Sequence, residues 1–310
     1  MSVSAMLYLH TLSPLHSGTG QGSGFIDLPV SRNATTNWPE IPGSSVKGSL
    51  RTACKEAGIT DNVLTRLFGI DISTDGNDAR EGAGHLWSAS ARLLCYPVRS
   101  FKGTFAWITC PLALRAWLRD YATAGQVINL TFPQNVAEDK LLCTTDSRAS
   151  LGVFVQNVPA KVLLEDLDLL LDTTQMAALD AIASRIAGAV FTETAWINYF
   201  KERFALVSDD VFTFLVTTTT PVTAHIRISD ETKTVAGGAL WYEETIPAEA
   251  IFTLPLVDRP GNLIDQFAPG IERAFQLGGN ASVGQGLIRA VLDPQPQAPA
   301  PAAAAMENES

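Results

Sequence analysis

Asp27 closes a glycine run, Gly18, Gly20, Gly22 and Gly24, and the segment Pro42-Gly43-Ser44-Ser45-Val46-Lys47-Gly48-Ser49-Leu50-Arg51 follows shortly after. Glycine lets a backbone lie against a ligand and reach the conformations that aim successive N–H groups at an anion. The second segment reads as a helix start: Ser44 or Ser45 is the expected cap, and Val46, Leu50, Cys54 and Ala57 recur as a buried stripe. Lys47, Arg51 and Lys55 stand at i, i+4 and i+8, so they share a face. Beside them the helix N-terminus carries about +0.5 charge. A carboxylate, a glycine loop and a cationic helix start make a phosphate-handling set. Each part alone has a plainer reading, a mobile loop or a solvated helix face. The loop is neither the dinucleotide fingerprint nor the P-loop. Together the parts point to a nucleic-acid backbone.

The chain has 310 residues, 46% hydrophobic and 17% charged, which is ample for a large core. Its net charge of −10 argues against gripping nucleic acid by bulk electrostatics. Either cations are concentrated on one face or partner subunits share the work, and Lys47, Arg51 and Lys55 in one helix with Arg92, Arg99 and Lys102 in another short region are consistent with such concentration. No apolar run approaches the ~20 residues of a membrane span, and Met1 to His10 lacks the pattern of a secretory signal, so a cytoplasmic protein without membrane partners is expected. Cys54, Cys95, Cys110 and Cys143 show no Cys-x-x-Cys pair and read as core thiols rather than zinc ligands or disulfides.

The elements that must position these residues follow from periodicity. Met6 to Leu12 reads as a buried strand, Ser44 to Ala57 as a helix, and 68–84 as an irregular loop. His85 to Val98 is strand-like, and Pro111 opens a helix with Leu114, Trp117, Leu118 and Tyr121 inward. Residues 125–172 alternate short apolar runs with turns, Thr174 opens another helix, and Phe204 to Thr219 reads as a strand. His225 to Ser229 and Gly238 to Glu244 flank a polar turn and read as a projecting hairpin. A last helix begins at Leu263, with Pro269 interrupting or restarting it, and ends in Leu277-Gly278-Gly279, after which Gly284-Gln285-Gly286 leads into a strand over Leu287 to Leu292. The Pro/Ala-rich residues 293–310 read as a disordered tail. This order is an α+β, ferredoxin-like (RRM-like) plan in one domain, 1–292, with insertions at about 68–84, 125–203 and 220–246.

Ordered blocks along the chain carry a family resemblance. They are Pro14-Leu15-His16-x-Gly18, Ile26-Asp27-Leu28-Pro29-Val30, Ile41 to Arg51, Arg92-Leu93-Leu94 and Pro97-Val98-Arg99-Ser100. Phe105 to Pro111, Leu240-Trp241-Tyr242-Glu243-Glu244 and Gly278 to Gly286 continue the series. Together they resemble the RAMP superfamily, and within it the repeated backbone subunits of type III-B CRISPR Cmr effector complexes, over nearly all of residues 6–292. The resemblance implies copies stacked head to tail along a CRISPR guide RNA beside other Cmr subunits, each protruding a hairpin thumb. It implies an endoribonuclease that cuts complementary target RNA at regular intervals with a divalent metal, Mg²⁺ or Mn²⁺. Carried over by motif, Asp27 is the cleavage residue and metal ligand, and Glu243 or Glu244 is a possible supporting group. The implied RNA-contacting set is Ser44, Ser45, Lys47, Arg51, Lys55, His16, Gly278, Gly279, Gly284 and Gly286, with Arg227 on the hairpin.

Two positions depart from that pattern: Gln285 where a cation is expected, and Ser90 where an aspartate is expected. Two other readings stand beside the nuclease. One is an architectural RNA-binding filament subunit without turnover; the other is a processing nuclease using His16 as a base that titrates near neutral pH. His10 and His85 read as structural, and His225 faces RNA or solvent.

Overall fold

A computed structural model describes residues 3–22, 24–70, 83–228, 235–258 and 263–293. Most of the expected 68–84 loop, the tip of the hairpin and nearly all of the Pro/Ala-rich tail lie outside the described residues.

The strands are β1 (Val3–Thr11), β2 (Glu40–Ile41), β3 (Leu86–Ser88), β4 (Ala91–Arg99), β5 (Phe105–Thr109), β6 (Lys140–Cys143), β7 (Lys161–Leu164) and β8 (Leu167–Asp172). They continue with β9 (Phe204–Leu206), β10 (Val222–Ile228), β11 (Val235–Glu244), β12 (Ile251–Asp258), β13 (Phe275–Gln276) and β14 (Leu287–Asp293). The helices are α1 (Gly43–Glu56), α2 (Asp61–Phe68), α3 (Pro111–Thr123), α4 (Thr145–Leu151), α5 (Met176–Val190), α6 (Thr194–Lys201), α7 (Asp209–Thr218) and α8 (Ile264–Phe267).

Twelve strands form one mainly antiparallel sheet in the order β13-β14-β1-β12-β4-β5-β9-β6-β8-β7, with β2 against β4 and β3 against β12. Only the β5–β9 and β6–β8 pairs on this path are parallel. β1 is an interior strand, with Leu9 opposite Phe252 of β12 and Ala290 of β14. Its near-continuous apolar run suits a strand covered on both faces. Ala5, Leu7 and Leu9 join the core containing α1, α2 and α7, while Met6 and Tyr8 join that of α3, α5 and α6. In the second core the Tyr8 and Tyr121 hydroxyls lie 2.6 Å apart, and Trp117 Nε1 donates to Tyr8 at 2.9 Å. Both α3 aromatics are therefore core groups, as their spacing predicts. The four cysteines are free and buried, and burial pushes the Cys54 thiol up to about 12 and the Cys143 thiol up to about 11, leaving them unreactive.

Several expectations are corrected. Phe204 to Thr219 is not one strand: β9 ends at Leu206 and α7 follows. Ser208 caps that helix by accepting from the Val211 N–H, and Asp209 and Asp210 favour its first turn. Val211, Phe212, Leu215 and Val216 then bury one helical face, which outweighs the strand preference of the threonine-rich run. Neither Ser44 nor Ser45 caps α1, because the helix starts one residue earlier with Pro42 at the cap, and the Gly43 N–H donates to the Ser90 hydroxyl at 3.3 Å. Thr174 lies before α5 rather than opening it, since its N–H and hydroxyl are held by Asp172. Among the described residues no helix is long and apolar enough to cross a membrane.

Candidate functional site

The loop bearing Asp27 leaves β1 and folds back on itself. Ser31 N–H donates to Ser17 O at 2.6 Å, and Gly18 bridges Val30. Inside this neck the Gly22 N–H donates to Asp27 O at 2.8 Å, and a Cβ on Gly22 would stand 2.7 Å from Ile26 O. Only glycine fits that approach. The loop docks on the base of the β10–β11 hairpin: Leu28 N–H donates to Tyr242 O at 3.1 Å, and Glu244 N–H donates to Leu28 O at 3.0 Å. Asp27 itself is exposed, and its Oδ2 accepts the Tyr242 N–H at 2.8 Å. Oδ1 takes no hydrogen bond among the described residues.

The two glutamates of β11 point to opposite faces, as strand neighbours must. Glu243 is buried and accepts from Asn280 Nδ2 and Gln285 Nε2, each at 2.8 Å. His225 stacks on Trp241 with centroids 5.4 Å apart, its Nε2 4.0 Å from Glu243 Oε1. Gln285 thus joins the glycine loop to the hairpin, a role a cation aimed at phosphate would not perform. Glu244 is also buried, and accepts from Val30 N–H at 3.0 Å, Thr220 Oγ1 at 2.6 Å and Arg32 Nη2 at 2.5 Å. Burial works against its charge, but these hydrogen bonds and the Arg32 guanidinium outweigh it and hold the carboxyl below its ordinary value. Both glutamates are committed to internal partners.

His16 is half-buried, and its Nδ1 lies 2.8 Å from Glu244 O. A carbonyl only accepts, so Nδ1 carries the proton. His16 O in turn accepts Gly279 N–H at 3.0 Å, and Pro14 O accepts Gly286 N–H at 2.7 Å. The structure therefore brings Asp27, His16, Glu243, Glu244, Gly278, Gly279 and Gly286 into one bonded neighbourhood, with exposed Gly284 on the same loop. Arg227 is exposed further along β10.

The cations divide. Lys47 is half-buried and Lys55 exposed, and neither is paired among the described residues; Ser44 is exposed and Ser45 half-buried beside them. Arg51 donates to Gly69 O at 2.5 Å, holding the end of α2. Each member of the second group has partners of its own. Arg92 pairs with Asp120 at 2.5 Å, Arg99 with Glu165 at 2.9 Å, and Lys102 donates to Ala149 O at 2.7 Å and Gly152 O at 3.0 Å. Arg92 is thus tied to a buried acid, while Arg99 and Lys102 stay exposed.

Arg32 and Thr220 escaped the sequence reading, and Asn280 was noted only as part of the Gly278 to Gly286 block. Arg32 is the only cation between Ser17 and Pro39, a signal that could have drawn notice. Thr220 and Asn280 carry no comparable mark.

A family model described as the RAMP superfamily matches residues 8–289. A Pyrococcus furiosus protein named CRISPR system Cmr endoribonuclease Cmr4 is 36% identical over 292 residues, covering 92% of this chain and 94% of that one. The crystal structure of oligomeric Cmr4 from the same organism superposes with a TM-score of 0.70 at 27% identity, over 93% of this chain and 97% of that one. A chain of a type III-B Cmr-beta complex bound to cognate target RNA, solved by cryo-EM, matches in fold with a TM-score of 0.69 at 19% identity, over 93% and 96%.

Proposed function

The chain belongs to the RAMP superfamily and, within it, to the Cmr4 family, and from that premise we propose that it is a guide-binding backbone subunit of a type III-B effector that cuts guide-paired target RNA through Asp27. The observation that carries the nuclease reading is the exposed Asp27 carboxylate, oriented by the Tyr242 N–H at 2.8 Å and with Oδ1 unpartnered among the described residues, at the root of a two-stranded hairpin. Strands β14, β1, β12 and β4 lie side by side, with α1 after β1 and α8 after β12, and we read them as the ferredoxin-like core. The β10–β11 pair is then the thumb that splays the duplex. Lys47, Lys55 and the start of α1 bind guide phosphates, as does the Gly278 to Gly286 loop. Further copies of the chain and other Cmr subunits complete the particle, and its place is the cytoplasm.

RNA carries its own nucleophile, the 2′-OH. A splayed nucleotide lets that oxygen line up with the phosphorus opposite its leaving group. Asp27, fixed by a backbone hydrogen bond, holds at that point an acceptor that could take the 2′-OH proton or a charge that could hold a cation, and the departing 5′-oxygen takes its proton from water. The donor set is one carboxylate oxygen, and no group of three His, Cys, Asp or Glu among the described residues could hold a metal ion. This does not fit a resident metal cage. It does fit a hydrated Mg²⁺ or Mn²⁺ on Asp27 that keeps its waters and completes its shell from RNA, where the ion would offset phosphate charge.

One observation favours a purely architectural subunit instead: Asp27 Oδ2 is engaged by a backbone amide, as a loop-bracing aspartate would be. Reconstituted complexes separate the two. Asp27→Ala abolishes metal-dependent target cutting while target binding persists; undiminished cutting eliminates the nuclease reading.

A further inference from the structure

We propose that Arg32 is a positioning residue for Asp27, acting through the buried carboxylate of Glu244; the inference rests on Asp27 being the cleavage residue. Arg32 Nη1 donates to Asn37 O at 2.9 Å and Val216 O at 3.3 Å, while Nη2 donates to Thr220 Oγ1 at 3.1 Å and Glu244 Oε1 at 2.5 Å. One guanidinium thus joins the loop after Asp27, the end of α7 and the return strand of the hairpin. Its planar fork serves four acceptors at once, which a lysine ammonium on a flexible stem would not reproduce. The ion pair is sheltered, with side-chain exposures of 17% for Arg32 and 5% for Glu244.

The link to Asp27 runs through the backbone. Glu244 Oε2 accepts the Val30 N–H at 3.0 Å, and Leu28, next to Asp27, is held to β11 by two backbone hydrogen bonds, at 3.1 and 3.0 Å. Without Arg32, the Glu244 carboxylate is buried with neutral donors alone, so it takes up a proton or turns toward water. In either event its hold on Val30 weakens, and the Asp27–Tyr242 register loses a fixed end. Displacement of a reacting group by about 1 Å costs on the order of 10²-fold in rate. Arg32 touches no substrate in this scheme; it fixes where Asp27 stands.

The test uses complexes assembled with guide RNA and carrying Arg32→Met, the charge-balanced double variant Arg32→Met/Glu244→Gln, or Asp27→Ala. Single-turnover cutting at saturating target is measured beside target affinity and thermal melting. The double variant buries no unpaired charge and guards against loss of the fold in the single one. The expected result is cutting slowed roughly 10- to 100-fold in both Arg32 variants, with affinity unchanged. Parental cutting rates in the Arg32 variants, with Asp27→Ala inactive, would overturn the positioning role and leave the proposed function intact. A parallel fall in affinity and rate would also overturn it, by making Arg32 a merely structural residue. Normal cutting by Asp27→Ala would remove the cleavage reading, and the inference with it.

Discussion

Replacing Gly286 with alanine separates backbone strain from steric exclusion in the loop assigned to guide RNA. Gly286 has φ +80°, and a Cβ there would stand 2.1 Å from Leu277 O. Gly284, two residues away, has φ +82° with nothing within 4 Å of the same atom. Both alanine variants bear the left-handed strain of about 1–2 kcal/mol. Only Gly286→Ala must also move the Leu277 carbonyl or its own backbone. That motion endangers the Leu277 N–H to Gly286 O bond at 2.8 Å and the Gly286 N–H to Pro14 O bond at 2.7 Å. At about 0.5–1.5 kcal/mol per hydrogen bond, Gly286→Ala costs roughly 2–5 kcal/mol in all. At roughly 2–4 °C per kcal/mol for a large domain, Gly284→Ala lowers Tm by about 2–8 °C and Gly286→Ala by about 4–20 °C, so the paired difference is the informative quantity. Differential scanning calorimetry reads the shift, and guide retention on a filter reads the loop. Equal melting and equal retention for the two variants would refute the reasoning, because the built clash would then have no consequence.

Two further outcomes follow from the charge arrangement. Lys47→Ala weakens guide binding and lowers the slope of log affinity against log salt by about 0.7, one single-strand phosphate contact, whereas Arg51→Ala chiefly lowers Tm because its guanidinium holds Gly69 O; a salt titration and a melt distinguish them. Glu244 has a folded pKa below its ordinary 4.5, so its stabilisation is complete above that value and is lost as pH falls through the folded pKa. Glu244→Gln therefore flattens the acid limb of stability, and at neutral pH it costs about 3 kcal/mol by stranding Arg32; urea unfolding across pH checks both.

Strand β1, α1, the α3 aromatics and the hairpin were legible because their apolar spacing agrees with the tertiary role each plays. β1 shows a near-continuous apolar run because both of its faces are covered, and Trp117 and Tyr121 recur at one helical face. Helix α7 was not legible: its β-branched residues favour a strand locally, and only burial of Phe212 and Leu215 against the sheet decides the outcome. The strands between α3 and β9 were blurred because they are only four to six residues long and β6 pairs with distant partners. At the site, Asp27 could be singled out from its glycine context, but the commitments of Glu243 and Glu244 could not. Their partners, Asn280, Gln285, Arg32 and Thr220, come from segments that meet only when the sheet closes. The acid partners of Arg92 and Arg99 were hidden for the same reason, since Asp120 and Glu165 lie far off in sequence.

The most direct measurement is the single-turnover rate of target cutting by complexes carrying Asp27→Asn, a swap that keeps the shape and the acceptor for the Tyr242 N–H while removing the charge. Cutting slowed by at least about 10²-fold, with guide and target bound as in the parent, is the predicted result. Cutting at the parental rate would contradict the account.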